Sequence, residues 1–420
     1  MSKWQWILMQ FTRRLWVRAA LIGILGVCAA MLASVADSMP EFKVGFDISA
    51  DAIENILSII ASSMLTVTTF SLSVMTAAFN TATSNATPRA TKLLIEDQSS
   101  QNALSSFIGA FLFSIVGLVV LNAGVYGAQG RVVLFTVTIL VIALVVLSLL
   151  RWIDYLTKLG RVEEAADQVE HATRTALLTR LSEPFLGGQP LPDDGAPEKA
   201  LAIPSEVTGY VQHIDMQKLS ALAEEQDTQL YLAVTPGSFV LLDTALAYVD
   251  YNAGQPNGDD MSHISASICD AITIGNERSY DQDPRFGFCV LSEIAIRALS
   301  PGVNDPGTAI DIIGREARLL MLWSEEAGDD DGDEVSFPSI YVPPIRIADL
   351  FDDAFHLIAR DGAGQVEVQL RLRKLLKSLS AIDNQAFADA ASEQAALALK
   401  RAEIALNLDE DKARIRAISF

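Results

Sequence analysis

The chain has 420 residues, half of them hydrophobic, and a formal net charge of −21. A chain this acidic would be repelled by nucleic acid and by anionic lipid head groups, so we exclude nucleic-acid binding. The long apolar runs lie in roughly the first 150 residues, whereas Asp and Glu dominate beyond about residue 160. This segregation predicts a membrane-embedded amino-terminal part followed by an acidic body outside the bilayer.

Cysteine and histidine do not indicate a metal site or a cofactor. The three cysteines lack the spacing of metal ligands and do not form an even-numbered disulfide framework, which fits a reducing compartment. The four histidines are scattered, with no HExxH or similar motif. We therefore expect neither a cofactor nor a bound metal.

The first 18 residues interleave basic and tryptophan side chains, a combination typical of a membrane interface. An apolar run over residues 15–36 then predicts the first membrane span. A cleaved signal peptide is the alternative, because Ser34-Val35-Ala36 is an acceptable cleavage site. The long basic start and the further spans favour an uncleaved helix.

The second apolar stretch, residues 53–84, carries a stripe of polar side chains and has no charge between Glu54 and Arg89. At 3.6 residues per turn the polar positions fall on one helical face. This hydroxyl stripe consists of Ser58, Ser62, Thr66, Thr69, Ser73, Thr76 and Asn80. In hydrocarbon such a face is expected to meet other helices or water rather than lipid.

Two interpretations of the hydroxyl stripe remain open. Small hydroxyl residues are common where membrane helices pack closely, with about 0.6 to 2 kcal/mol per interhelical hydrogen bond. Alternatively, the stripe lines an aqueous path in which hydroxyls replace part of a hydration shell. The lack of an ionisable residue in the stripe argues against a proton relay.

Two further apolar runs, residues 104–126 and 132–150, complete a predicted four-helix transmembrane bundle within a membrane domain of residues 1–151. Nine Lys and Arg residues flank one side of the predicted spans, whereas Lys43 and Arg131 lie on the other. The positive-inside rule then places both termini in the cytoplasm. We expect a multi-pass membrane protein whose partners are the lipid bilayer and further copies of itself.

The sequence after the predicted membrane domain predicts a mixed α/β, mainly helical cytoplasmic domain. An amphipathic stalk helix over residues 152–183 is followed by a Gly-, Pro- and Asp-rich linker over residues 184–200. Residues 201–250 predict a small α/β module with a Pro-Gly turn, and residues 251–420 are mainly helical. The acidic loop 325–334 does not match a calcium-binding EF-hand and is interpreted as solvated.

Residues 276–311 are the densest part of the soluble half in charged and turn-forming side chains. Asp283 before Pro284 predicts one helix start and Asp305 before Pro306 a second, while Glu293 and Arg297 are spaced to pair along the first helix. These local roles account for the motif, and a cytoplasmic ligand site is the alternative. The candidate site residues are Glu277, Arg278, Asp283, Arg297, Asn304 and Asp305.

Several stretches resemble a known family: QDPRFGF, EIAIRALSPGVNDPGTA, GYVQHID, TPGSFV and TSNATPRA. Together with the four predicted spans, they are similar to the bacterial predicted membrane proteins grouped as domain of unknown function 2254. The resemblance covers most of the chain. It implies a bacterial integral membrane protein with a cytoplasmic domain, which we expect in the inner membrane, and it implies no activity and no catalytic residues.

Three functional hypotheses follow from the residues. The first is a channel or transporter-like homo-oligomer, because four spans are too few to enclose a pore alone. The second is a non-conducting membrane-anchored sensor or scaffold with a cytoplasmic ligand or partner site. The third, an enzyme, is disfavoured because the sequence has no HExxH, P-loop, GxSxG or CxxC motif. Neither the ion nor the small ligand is identified by the sequence.

Overall fold

A computed structural model describes residues 2–12, 15–35, 49–251, 258–326 and 335–420. The chain divides into two compact units. The membrane unit comprises Ile7–Ser84 and Thr91–Glu164, and the domain unit comprises Met1–Trp6, Asn85–Ala90 and Ala165–Phe420. Two short segments from the apolar half of the sequence therefore belong to the domain unit, which the sequence did not indicate.

Within the described ranges, six helices form the amino-terminal part. They are α1 (Lys3–Thr12), α2 (Leu15–Val35), α3 (Ala50–Asn85), α4 (Pro88–Ile95), α5 (Gln98–Asn122) and α6 (Ala128–Lys158). Among the described residues, α3, α5 and α6 are long and apolar enough to cross a membrane, and α2 has a shorter apolar stretch, Trp16–Leu32. A mostly helical protein with membrane-spanning candidates is thus confirmed. Three helices meet the length and hydropathy criteria rather than the four predicted.

Small residues allow α2 and α5 to pack with their backbones close together. A Cβ atom added at Gly26 would lie 2.9 Å from the carbonyl oxygen of Gly109 and 3.2 Å from the Cβ of Phe113. The Tyr126 hydroxyl donates to the carbonyl oxygen of Ala30 over 2.7 Å. Close packing of this kind is a main source of helix association where lipid replaces water.

The predicted stalk over residues 152–183 is divided between two helices. Helix α6 continues to Lys158, and α7 covers Val162–Ser182. Gly160 between them has φ +85°, a left-handed conformation that suits glycine and ends the first helix. The apolar face of α7 is buried in the domain unit, so this helix belongs to the fold rather than extending free from it.

In the part of the domain unit that the structure describes, eight strands form two sheets. The strands are β1 (Gln189–Pro190), β2 (Leu201–Pro204), β3 (Gly209–Ile214), β4 (Thr228–Leu232), β5 (Phe239–Val240), β6 (Ala245–Tyr251), β7 (Ile272–Gly275) and β8 (Ile340–Val342). The larger sheet has the order β1-β8-β4-β6-β2 and the smaller one β5-β3-β7. The predicted linker 184–200 is folded, because its strand β1 pairs in parallel with β8.

The sheets pack against α8 (Met216–Glu225) and α9 (Gly258–Ala271) around one apolar core. That core includes Ile203, Val211, Leu230 and Ile340. Because β8 comes from residues 340–342, the sheet crosses the boundary predicted at residue 250. The strand alternation that was evident locally could not show this distant partner.

The remaining helices are α10 (Pro284–Leu299), α11 (Pro306–Glu326), α12 (Ile347–Asp361), α13 (Val366–Leu379), α14 (Gln385–Ala405) and α15 (Asp409–Arg416). Helix α10 is almost entirely buried and packs on both α11 and α12. Edge-on aromatic contacts join Phe351 to Phe355 and to Phe387. A mixed α/β region is confirmed.

Candidate functional site

The hydroxyl stripe lies on the exposed side of α3. All seven of its residues are exposed, whereas the opposite side of the helix is buried against the membrane unit. Ile60, Met64 and Met75 on that buried side share a cluster with Phe107 of α5. Within one chain, the stripe therefore does not serve to pack α3 on its neighbours.

Most of the stripe hydroxyls donate to the backbone of their own helix. Thr66 donates to the carbonyl oxygen of Ser62 over 2.9 Å, and Ser73 donates to that of Thr69 over 3.0 Å. The Thr76 hydroxyl bonds to the Leu72 carbonyl in the same way over 2.9 Å. With the donors used internally, the face presents hydroxyl oxygens as acceptors, a surface that suits a cation or a polar partner.

The six soluble candidate residues do not form one site. Arg278 and Asp283 lie at the amino-terminal end of α10, whereas exposed Arg297, Asn304 and Asp305 lie at or beyond its carboxyl-terminal end. A helix of 16 residues separates these groups by about 24 Å. Glu277 is exposed, and its backbone carbonyl accepts a hydrogen bond from the Gln212 side chain over 2.7 Å.

Asp305 acts as a helix cap. Its carboxylate accepts from the backbone N–H of Thr308 over 3.1 Å and from the Thr308 hydroxyl over 2.6 Å. These hydrogen bonds lower the pKa of the carboxyl. Asn304 before it has φ +51°, a left-handed conformation that Asn tolerates at a tight turn. The local roles of Asp305 and Asn304 explain this motif without a ligand.

The amino-terminal end of α10 holds a buried ion pair. Arg278 reaches both carboxylate oxygens of Asp283, over 2.7 and 3.0 Å, and Asp283 also accepts from the backbone N–H of Phe286. Asp283 is 2% exposed. Burial raises the pKa of its carboxyl while the bonds to Arg278 lower it, and with both bonds formed we assign the charged pair.

Glycine at position 237 is required by this ion pair. A Cβ atom there would lie 2.3 Å from the Asp283 carboxylate, and φ at Gly237 is +93°. The TPGSFV turn therefore packs directly on the QDPRFGF segment. Sequence reasoning identified both motifs, but it did not show that they meet.

A second cluster follows along α10. Arg285 bonds Asp353 over 2.7 Å and Asp349 over 2.9 Å, which ties α10 to α12. The Cys289 sulfur lies 3.5 Å from the Arg278 guanidinium. Burial raises the pKa of the Cys289 thiol to about 12, so it is protonated and unreactive at neutral pH.

Residues 85–90 contact the third turn of α10 in an arrangement that we call the clasp. Glu293 accepts from Arg89 over 2.5 Å and from the Thr87 hydroxyl over 2.9 Å. The Tyr280 hydroxyl donates to the backbone carbonyl of Arg89 over 3.4 Å. The TSNATPRA motif thus contacts the EIAIRAL motif, and the chain enters the clasp directly from the end of α3 at Asn85.

The amino-terminal segment Ser2–Trp6 also binds the domain unit. The Lys3 ammonium contacts Asp270 over 2.6 Å, and its backbone N–H donates to Asp215. The Trp6 indole donates to Asp281 over 2.8 Å and stacks on the His213 ring at 5.3 Å. Burial lowers the pKa of His213 to about 4, so the ring is neutral beside the indole.

Sequence reasoning missed one buried carboxyl, Glu316. It is fully buried, and neither of its oxygens has a hydrogen-bond partner among the residues the structure describes. Burial raises its pKa well above the usual value, with Asp353 and Glu170 adding to the effect. The signal was present, because Glu316 occupies an apolar-face position of α11 between Ile312 and Leu319.

The charged side chains of the α10 region are joined in ion pairs. Its carboxylates are bonded to arginines, and the Cys289 thiol is protonated. Within the described ranges, no group of three His, Cys, Asp or Glu side chains is placed to hold a metal ion. Most of the acidic loop 325–334 lies outside the described residues. The signature motifs therefore converge on α10 as a scaffold of ion pairs.

The fold and the site define an integral membrane protein that joins several apolar helices to a mixed α/β domain. The chain belongs to the family described as predicted membrane protein DUF2254, whose model matches residues 12–378. It is 24% identical over 279 residues to the uncharacterized proteins Rv1290c of Mycobacterium tuberculosis and Mb1321c of Mycobacterium bovis.

The match to each mycobacterial protein covers 66% of this chain and 53% of the relative. The chain thus spans about half the length of the curated relatives it matches. No solved structure matches the chain. The family membership confirms the resemblance that the motifs indicated.

Proposed function

We propose that the protein is a non-enzymatic, homo-oligomeric membrane protein in which the hydroxyl stripes of several α3 helices surround a shared path for an ion or small solute. The observation that carries this proposal is the exposure of all seven stripe residues on the side of α3 that its own chain leaves uncovered. A polar face at bilayer depth is more stable against protein or water than against acyl chains. Copies arranged around a symmetry axis supply that environment.

Cross-linking tests this arrangement. In a chain whose native cysteines are replaced by serine, we expect Thr69→Cys to form disulfide-linked dimers in native membranes, because stripes facing one axis bring equivalent positions together. The control is Ile139→Cys, an exposed site on α6. Dimers at Ile139 with none at Thr69 would reject the proposed interface.

Counting the membrane crossings supports four spans with both termini on the same side of the membrane. Ser2–Trp6 and the clasp segment both contact the domain that follows α6, so all three lie on one side of the membrane. An even number of crossings must then separate Ser2–Trp6 from the domain. Helices α3, α5 and α6 make three, so α2 supplies the fourth despite its shorter apolar stretch.

The number of crossings is also even on each side of the clasp in the sequence, since α2 and α3 precede it and α5 and α6 follow it. With the positive-inside rule, we propose a bacterial inner-membrane protein with both termini in the cytoplasm. The lipid bilayer and further copies of the chain are its expected partners.

Labelling with an impermeant maleimide checks this topology. We expect Ser2→Cys and Glu225→Cys to react from the same side of sealed vesicles and Val125→Cys, in the turn between α5 and α6, to react only from the other. If α2 did not cross, Ser2→Cys would label from the side opposite to Glu225→Cys.

The clasp supports a regulatory role for the domain. Glu293 holds Arg89 and Thr87, which follow α3 by only a few residues. A shift of α10 would therefore be transmitted along the chain to the carboxyl-terminal end of the striped helix. Ion-pair contacts with two arrangements are a common basis for such coupling.

The alternative is a non-conducting sensor or scaffold. It is favoured by the hydroxyls of Thr66 and Ser73, which already bond to their own helix and can pack dry against a second copy. Both models predict the Thr69 cross-link, whereas only the first predicts flux. The flux experiment in the Discussion separates them.

A further inference from the structure

The outer face of the five-stranded sheet carries a cavity that is unrelated to the stripe and to α10. Its volume is about 390 Å³, within the range of small-molecule sites. The segment 191–200 covers one side, and Tyr231 of β4 and Tyr248 of β6 line the sheet side. The cavity lies wholly within the domain unit.

Three tyrosines form a row across the sheet beside this cavity. Tyr231 is the register partner of both Tyr341 on β8 and Tyr248 on β6. The Tyr231 and Tyr341 rings stack with centroids 4.6 Å apart and planes 6° apart. The Tyr231 hydroxyl donates to the Gln229 side chain over 2.8 Å, which fixes the ring orientation. Two members of the row, Tyr231 and Tyr248, line the cavity.

The covering segment is anchored at both ends. At its start, the Leu191 N–H donates to the Val342 carbonyl over 3.0 Å, continuing the β1–β8 pairing. At its end, Lys199 pairs with buried Asp250 over 3.0 Å. Two turns between them are closed by Gly195 N–H to Pro192 and by Ala200 N–H to Pro197. Both ends of the covering segment are thus bonded to strands of the sheet.

The charges on the covering segment are acidic. Glu198 lines the cavity, and Asp193 and Asp194 are exposed on the same segment. The one cation of the segment, Lys199, is engaged by Asp250. Aromatic rings with acidic neighbours attract an organic cation that carries methyl groups. The ring quadrupole and the carboxylates both interact favourably with its positive charge.

We propose that this cavity binds a small organic cation through an alkylammonium head group, with Tyr231 and Tyr248 contacting the methyl groups and Glu198 supplying the counter-charge. Apolar Leu191, Pro197 and Ala200 accommodate the remaining surface of the ligand. The site does not depend on the transport proposal, and it would make the domain a receptor for a soluble cation.

Equilibrium dialysis of the full chain in a non-ionic detergent tests the proposal, with choline as the probe and its uncharged isostere 3,3-dimethylbutan-1-ol as the comparison. We expect saturable choline binding and at least fivefold weaker binding of the alcohol. The alcohol lacks the cation–π interaction, taken at the lower end of its usual energy range, and the ion pair with Glu198. Tyr248→Leu should weaken choline binding about 2- to 30-fold, whereas Tyr248→Phe retains the ring and should bind within about twofold of the parent.

Glu198→Gln should weaken choline binding about two- to fivefold, less at high salt, and Glu225→Gln on α8 is the matched charge control that should not. Thermal unfolding of each variant confirms that the fold is intact. Lack of saturable choline binding overturns the site. Equal binding of the alcohol overturns the cationic class, and unchanged binding by a folded Tyr248→Leu variant overturns the location.

Discussion

Replacing Ser62 and Thr66 together by leucine is expected to abolish ion flux through the reconstituted protein. Both side chains lie exposed on the stripe of α3, where their oxygens would replace part of the hydration shell of a passing ion. Leucine removes those acceptors and narrows the path with apolar groups that favour dewetting. The measurement is cation flux into proteoliposomes, beside chemical cross-linking to check that the oligomer survives.

The matched control is Thr136→Leu on α6. Its hydroxyl is exposed and bonds the Val132 carbonyl over 2.9 Å, as the stripe hydroxyls bond their own helix, but it lies outside the stripe. Flux should be unchanged by this substitution. No flux in the parent protein, or undiminished flux in the Ser62→Leu and Thr66→Leu variant, would reject conduction and favour the scaffold.

Asp283→Ala is expected to destabilise the domain by about 3 to 5 kcal/mol, because it leaves the Arg278 side chain, which is only 21% exposed, without its counter-charge. The change also removes the acceptor for the backbone N–H of Phe286 at the start of α10. For a domain of this size the midpoint of thermal unfolding should fall by roughly 6 to 20 °C. Circular dichroism of the detergent-solubilised chain measures the shift.

Asp305→Ala provides the comparison. Asp305 caps α11 in the same way but is exposed, and no arginine among the described residues forms an ion pair with it, so only about 0.5 to 2 kcal/mol is expected from the lost cap. If both substitutions lowered the stability of the domain equally, the ion pair between Asp283 and Arg278 would contribute no stability beyond helix capping. A ligand site at Asp305 would instead appear as lost ligand binding in a stable variant.

Local periodicity and capping rules were sufficient for much of the fold. The apolar runs predicted α3, α5 and α6, and Asp283 before Pro284 predicted the start of α10. The extent of the sheet was not predictable, because β8 pairs with β4 across more than one hundred residues of chain. Parallel pairing at that distance leaves no periodic signal in either segment.

The sequence by itself determined that a polar stripe runs along one face of α3, since a period of 3.6 residues is a local property. Only the tertiary structure decided that this face is the uncovered one. It also decided that Glu293 bonds Arg89 and that Gly237 packs against Asp283. Contacts between distant segments depend on the path of the whole chain, which spacing within one helix does not encode.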